Sequence, residues 1–156
     1  MKKIFIYAAT LVLICFFSLA NAQTIKTPEN LQGVWMLKSS RTSDKLELGF
    51  LPEMSNFMKK ITPDGKFSNF TTSGTYTVII TDGLLIVESE TVFTESIEHS
   101  IHPNLKGLNN KLQFRIENDN KLYLKWFSPK NQLDNTADIW VEELWEKVET
   151  PNSNQT

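Results

Sequence analysis

The side chains best suited to chemistry lie in one acidic stretch that also carries both histidines of the chain. This stretch contains Glu88, Glu90, Glu95, Glu98, His99 and His102. A metal site would need carboxylates and imidazoles that converge and leave a coordination position open. His99 and His102 do not have helical spacing, and Pro103 places the second histidine at the end of a strand. A solvated outer face explains these residues more simply, so the sequence predicts no metal site.

A second candidate is the pair of adjacent carboxylates Glu142 and Glu143, which lies between two tryptophans. Neighbouring residues of a strand point to opposite faces, so one of the two faces inward. A buried carboxylate needs a partner, and Arg115 or Lys125 could supply it. An inward glutamate could also select a cationic or hydroxyl-bearing ligand, although a salt bridge or a hydrogen bond at the rim is the simpler role. The sequence leaves open which of the two faces the interior.

Catalytic arrangements are scarce in this sequence. It contains no Gly-x-Ser-x-Gly, no His-Glu-x-x-His and no phosphate loop. Cys15 is the single cysteine and lies in the apolar N-terminal run, so a processed chain has no disulfide and no thiol nucleophile. The sequence therefore predicts a protein that is not an enzyme and that carries no cofactor or metal; an enzyme that uses an inward glutamate, Glu142 or Glu143, is the weaker alternative.

The N-terminus has the pattern of an export signal. Residues 1–3 are charged, residues 4–19 are mostly apolar, and Ala20-Asn21-Ala22 supplies the small residues that signal peptidase recognises. The apolar run is short for a membrane span, which needs about 20 residues. We therefore expect residues 1–22 to be a signal peptide, the mature chain to have no transmembrane segment, and the protein to be periplasmic or extracellular.

The charge of the processed chain limits its partners. Removal of Lys2 and Lys3 changes the formal charge from −2 to −4, because two positive charges are lost. Nucleic-acid binding depends on a clustered basic surface, which this sequence lacks. No basic amphipathic stretch suggests a membrane surface either, and nothing in the sequence indicates an oligomeric state.

The rest of the chain has the pattern of a β-meander. Residues 23–30 form a polar lead-in arm, residues 31–149 the domain, and residues 150–156 a polar tail that we expect to be disordered. The first strand is predicted at 31–39, followed by a long connection at 40–56 with a helical turn near residues 52–58. About nine short strands follow one another at the spacing of an all-β barrel or sandwich.

Tight turns favour one of these two architectures, the barrel. Turn residues at 62–65, 82–83 and 118–120 make strands that are neighbours in sequence also neighbours in space. We therefore predict an all-β, up-and-down antiparallel β-barrel of about 8–10 strands, without a long C-terminal helix. A sandwich with crossing connections is the alternative.

Strand alternation predicts which side chains fill this barrel. The inward face should carry Leu112, Phe114, Ile116, Leu122, Leu124 and Trp126, joined from the other side by Tyr76, Val78 and Ile80. A barrel of about eight strands is either just filled by side chains or holds one small ligand. Tyr76, Phe114, Trp126 and Glu143 are the candidate contacts of such a ligand inside the barrel.

Four segments in this order resemble a known family. They are Gly33-Val34-Trp35, Ile61-Thr62-Pro63-Asp64-Gly65-Lys66-Phe67, Gly74-Thr75-Tyr76 and Trp140-x-Glu142-Glu143-x-Trp145-x-Lys147-Val148. Gly33-x-Trp35 resembles the signature of lipocalins and related calycin barrels. The ordered set is similar to a family of small secreted bacterial lipocalin-like proteins of unknown function. The resemblance covers most of residues 31–148, and it departs from lipocalins in lacking their C-terminal helix.

The resemblance implies a place for a ligand. In calycins, the tryptophan at the position of Trp35 plugs the closed end of the barrel, and the first connection folds over the open mouth. This makes residues 46–58 a candidate mouth, with Leu48, Phe50, Met54 and Met58 as candidate contacts of a small apolar or amphiphilic ligand. The alternative is a cell-envelope interaction module with a filled barrel, in which loops 46–58 and 128–136 form the contact surface.

Overall fold

A computed structural model describes residues 26–130 and 137–149 of the chain. The predicted signal peptide, the C-terminal tail and most of loop 128–136 lie outside the described residues. Within them the chain forms nine strands: β1 (Gly33–Thr42), β2 (Leu51–Pro52), β3 (Phe57–Ile61), β4 (Lys66–Ser73), β5 (Tyr76–Ser89), β6 (Val92–Ser100), β7 (Asn109–Glu117), β8 (Lys121–Ser128) and β9 (Ile139–Lys147).

The strands close into an antiparallel barrel. From β3 to β9 each strand pairs with the next one in sequence, β1 pairs with β3, and β9 returns to pair with β1. The closing register runs from Trp35 opposite Lys147 to Thr42 opposite Val141. Eight strands therefore form the closed barrel, while the short β2 adds to the edge of β1. The predicted up-and-down all-β barrel is confirmed.

Helical structure is minimal in the described ranges. It consists of two 3₁₀ helices, Ser43–Leu48 after β1 and Pro103–Leu105 between β6 and β7. Neither is long or apolar enough to cross a membrane. The predicted helical turn near residues 52–58 is wrong, because β2 ends at Pro52, β3 begins at Phe57, and residues 53–56 between them are not helical.

Two strands are longer than the sequence predicted. β1 continues to Thr42, because its residues 35–42 pair with β9. The expected turn at Asp82-Gly83 does not exist, and β5 runs through it as a single strand of 14 residues. At this point the pairing with β6 shifts register in a β-bulge.

Gly83 is required here by close packing and not by a turn. A Cβ atom on Gly83 would lie 2.0 Å from the carbonyl oxygen of Ser96 and 2.9 Å from the amide nitrogen of Glu98. Both atoms belong to the backbone of β6, so they have little freedom to move away. A glycine inside a strand often marks such an approach between two backbones.

The other two predicted turns are present. Thr62 to Lys66 closes the β3–β4 hairpin, and Gly65 has a φ of +75° that favours glycine. Asn118 and Asp119 both have positive φ at the β7–β8 hairpin, a conformation these two residue types tolerate. Local turn chemistry therefore sets the order of neighbouring strands.

The end of the barrel where β1 begins is filled by side chains. Trp35 is fully buried there and donates a hydrogen bond from Nε1 to the carbonyl oxygen of Leu31 at 2.9 Å. Leu31, Ile61 and Phe67 are buried in the same core cluster. Gly33 has a φ of +125°, and a Cβ atom there would lie 2.9 Å from Cε of Lys147.

Candidate functional site

A cavity of about 290 Å³ occupies the other half of the barrel, where β3, β7 and β9 begin. Its apolar wall consists of Phe57, Ile80, Ile97, Leu105, Leu112, Trp126 and Trp145. Its polar groups are Lys59, Asn69, Thr81, Glu95, His102, Asn110 and Glu143. The barrel is therefore neither filled throughout nor lined by apolar side chains alone.

Lys59 and Glu95 form a buried ion pair in this cavity. Nζ of Lys59 contacts Oε1 of Glu95, and the two side chains are only 3% and 5% exposed. The ammonium also lies 5.4 Å from the ring centroid of Phe67 and 5.7 Å from that of Trp145. Such a pair is tolerated inside a protein because each charge compensates the other.

The predicted position of Glu95 on a solvated outer face is wrong. Glu95 shares its strand face with Phe93 and Ile97, which are both buried in the core cluster. Lys59 likewise shares its face with Ile61, and the sequence analysis did not single it out. The alternation of inward and outward residues along each strand favours an inward position for both residues. Their charge favoured a solvated position, and the prediction followed the charge.

Glu143 is the carboxylate of the adjacent pair that faces the cavity. Its Oε1 accepts a hydrogen bond from Nε1 of Trp126 at 3.1 Å, and its Oε2 accepts one from Nε1 of Trp145 at 3.0 Å. Burial raises the pKa of Glu143 above its usual value, although Lys59 and the two indole groups act in the opposite direction. Among the described residues no cation contacts Glu143 directly, so its ionised form is not balanced by an ion pair.

Glu142 faces outward and is balanced by two cations. Its Oε2 lies 2.5 Å from Nη2 of Arg41, and its Oε1 lies 3.2 Å from Nζ of Lys125. Partial burial acts to raise the pKa of Glu142, but hydrogen bonds from Arg41, Lys125 and Tyr123 hold it below its usual value. Lys125 was a candidate partner for an inward carboxylate, and it serves the outward one instead.

Asn69 contributes an unsatisfied acceptor to the cavity. Its Nδ2 donates to Oγ1 of Thr81 at 2.9 Å. Its Oδ1 is buried and has no hydrogen-bond partner, the only such side-chain atom in the described ranges. A buried polar atom without a partner costs about 1–3 kcal/mol, so a donor that reached this oxygen would be stabilised there.

The β6–β7 connection covers the mouth of the cavity. It carries the 3₁₀ helix Pro103–Leu105, and His102 and Leu105 line the cavity from this side. Leu105 is buried within the core cluster of the barrel. The segment at the mouth is therefore residues 101–108, whereas the sequence predicted the mouth at residues 46–58.

The apolar residues of the first connection lie elsewhere. Leu48 is exposed, Met54 is 91% exposed, and the ring of Phe50 lies 4.6 Å from the guanidinium carbon of Arg41. Met58 lies on the face of β3 opposite to Lys59, which is the outer face. None of these four residues is among those that line the cavity.

Of the remaining residues predicted to contact a ligand, some line the cavity and others lie elsewhere. Trp126 and Glu143 line the cavity. Phe114 is buried in the filled half, where its ring centroid lies 5.3 Å from that of Phe93. Tyr76 is 77% exposed near the tip of the β4–β5 hairpin, so of the three residues predicted to face inward from β5 only Ile80 lines the cavity.

A separate group of potential metal ligands lies on the outer face of β5 and β6. One ligand atom each from Asp82, Glu98 and His99 lie within 4.8 Å of one another. Nδ1 of His99 is 2.8 Å from Oδ1 of Asp82, and both Glu98 and His99 are exposed. Mutual pairing on a solvated surface accounts for this group, while His102 lies apart from it at the cavity.

The fold is similar to that of known structures at very low sequence identity. The structure of EF1p2_mFAP2b bound to DFHBI aligns with a TM-score of 0.50 and 10% identity, covering 77% of this chain and 95% of the other. A bovine odorant-binding protein, a deswapped triple mutant, aligns with a TM-score of 0.44 and 10% identity over 80% of this chain and 78% of the other. The odorant-binding protein OBP1 gives a TM-score of 0.46 and 10% identity over 83% and 79%.

Sequence comparisons identify the family of this chain, and the description of that family names no activity. No curated protein matches the sequence. A family model described as a domain of unknown function matches residues 30–156, which include the whole barrel. The chain therefore belongs to the DUF4488 family.

Proposed function

We propose that this protein is an exported barrel that binds one small amphiphilic molecule in the cavity inside the barrel. The observation that carries the proposal is the combination of an apolar wall with buried polar groups; one polar atom, Oδ1 of Asn69, has no hydrogen-bond partner among the described residues. Ligand sites are typically concave and mostly apolar, with a few polar groups that fix orientation. This cavity has both properties.

The size of the cavity limits the ligand. The cavity volume is about 290 Å³. This is at the low end of the range for ligand sites, about 300–1,000 Å³. A single aromatic ring with a short polar chain matches this size, and a long-chain fatty acid exceeds it.

Export is the second part of the proposal, and it is supported by the sequence of residues 1–22. A charged start, an apolar run and small residues at the end are typical of a cleaved signal. We expect the mature protein in the periplasm or outside the cell. Fractionation of cells that express the full chain, with N-terminal sequencing of the product, tests this; a product that retains residue 1 and remains in the cytoplasm would contradict it.

The binding proposal is tested with 2-phenylethanol as probe. Titration calorimetry measures its binding, and the tryptophan fluorescence should change because Trp126 and Trp145 line the cavity. Ile97→Trp places a large side chain in the cavity and should abolish binding. Ile86→Trp is the matched control, because Ile86 is an exposed residue in the same sheet.

The two variants separate binding in the cavity from binding elsewhere. We expect the wild type and Ile86→Trp to bind the probe equally, and Ile97→Trp to remain folded without binding. Near-ultraviolet circular dichroism checks the fold of both variants. Equal binding by a folded Ile97→Trp, or no binding by the wild type, would contradict the proposal.

A second candidate function rests on the exposed apolar residues of the first connection. Leu46, Leu48, Leu51 and Met54 are all exposed, and together they could form a contact surface for a protein of the cell envelope. Crosslinking in the native envelope, with a variant that carries serine at these four positions as control, tests this function. Recovery of the same partners by both proteins would count against it.

A further inference from the structure

We propose that the cavity selects ligands whose polar end donates hydrogen bonds, a protonated amine above all, and rejects ligands that end in a carboxylate. The inference rests on the proposed function and specifies the ligand of the same site. It follows from the balance of charge and of hydrogen-bonding capacity within the cavity.

The charges that line the cavity do not cancel. The ionisable groups at its wall are Lys59, Glu95, Glu143 and His102. Lys59 and Glu95 are in direct contact and neutralise each other. Within the described ranges Glu143 has no cation in contact, so its ionised form gives the cavity an excess of negative charge.

The hydrogen bonds of Glu143 show that its carboxylate is held as an acceptor. An indole N–H can only donate, so the bonds from Trp126 and Trp145 occupy both carboxylate oxygens as acceptors. Each oxygen of an ionised carboxylate can accept about two hydrogen bonds. Each oxygen of Glu143 therefore keeps capacity for one more donor, which a ligand can supply.

Asn69 adds a second acceptor at the cavity wall. Its Oδ1 is buried and has no partner within the described part of the chain. An ammonium group has three donors and no acceptor, so it matches unused acceptors on Glu143 and Asn69. A carboxylate ligand has only acceptors, and the one ammonium in the cavity already contacts Glu95.

Four probes of nearly the same shape test this preference at neutral pH. They are propylbenzene, 2-phenylethanol, 2-phenylethylamine, which is protonated, and phenylacetate, which is ionised. We expect 2-phenylethylamine to bind about tenfold or more tightly than propylbenzene, since a hydrogen bond to a charged group contributes at least this factor. We expect 2-phenylethanol to lie between them and phenylacetate to bind most weakly.

Glu143→Gln tests whether this residue is the origin of the preference. The variant keeps the shape of the side chain but removes its charge, so the advantage of the amine over propylbenzene should fall by about tenfold. Glu146→Gln is the matched control, because Glu146 is an exposed glutamate on the same strand. It should retain the wild-type order of the four probes.

The outcomes distinguish this inference from the proposed function. If propylbenzene and 2-phenylethanol bind but phenylacetate binds as tightly as the amine, the cavity binds ligands and the inference is wrong. An unchanged amine preference in a folded Glu143→Gln would also overturn it. If none of the four probes binds, the proposed function fails and the inference fails with it. Should Glu143→Gln not fold, the order of the four probes on the wild type decides.

Discussion

The ion pair between Lys59 and Glu95 should dominate the stability of the cavity half of the barrel. With exposures of 3% and 5%, each side chain depends mainly on its partner to compensate its charge. Removing one member of a buried pair costs about 3–5 kcal/mol, because an uncompensated charge is left inside. The total free energy of unfolding of a domain is about 5–15 kcal/mol. Lys59→Met should therefore lose a large part of the stability.

The double variant Lys59→Met with Glu95→Leu should recover most of this loss. Both charges are then absent, and the new side chains can pack against Phe67 and Trp145, which lie beside the ammonium of Lys59 in the wild type. Replacing a buried pair by apolar residues is often neutral or stabilising by about 1–4 kcal/mol. We expect the double variant to lie within about 1 kcal/mol of the wild type.

Urea unfolding followed by tryptophan fluorescence measures these differences. Lys60→Met is the control, because Lys60 is the exposed neighbour of Lys59 on the outer face of β3. We expect it to change the free energy of unfolding by about 0.5 kcal/mol at most. The reasoning is refuted if Lys59→Met costs less than about 1 kcal/mol, or if the double variant loses as much as the two single variants together.

Two further predictions concern Gly83, where the pairing of β5 with β6 shifts register, and the titration of Glu143. Gly83→Ala should lower the free energy of unfolding in urea by about 1–3 kcal/mol or more, since its Cβ would lie 2.0 Å from a backbone oxygen; an unchanged midpoint would contradict this. Because the pKa of Glu143 is raised above 4.5, its protonated form stabilises the fold, and this contribution is lost as the pH rises through the folded-state pKa. The stability of Glu143→Gln relative to the wild type should therefore increase with pH above 4.5, and a constant difference in urea unfolding would count against the raised pKa.

Much of the barrel could be predicted because its signals are local. The alternation in β7 and β8 identified Leu112, Leu122 and Leu124 as core residues, and all three are buried. The turn residues at 62–65 and 118–120 fixed which strands are neighbours. These properties depend on a few consecutive residues, so a sequence is sufficient to find them.

Gly83 shows where local signals mislead. An Asp-Gly pair between two apolar stretches is typical of a hairpin turn, and the sequence predicted one. In the structure the same glycine permits the backbone of β6 to approach closely, and the strand continues. The two alternatives differ only in what lies across the sheet, which is a property of the tertiary structure.

The candidate site was harder to predict than the barrel. Trp126 and Glu143 were identified and line the cavity, but Lys59, Asn69 and Glu95 were not identified as part of it. The segment that reaches the mouth is 101–108, and of the predicted mouth at residues 46–58 only Phe57 lines the cavity. Apolar composition alone does not show which loop covers which end of a barrel.

The sequence by itself determined an all-β meander, the hairpins that order it, and one inward glutamate in the pair at 142 and 143. Only the tertiary structure decided that Glu143 is the inward one, that Lys59 and Glu95 meet, and that a cavity of about 290 Å³ remains beside them inside the barrel. The physical reason is that a cavity is the difference between the space enclosed by eight strands and the volume of the side chains within it. Charge balance in that space likewise depends on residues that are far apart in the chain and are brought together by closure of β1 on β9.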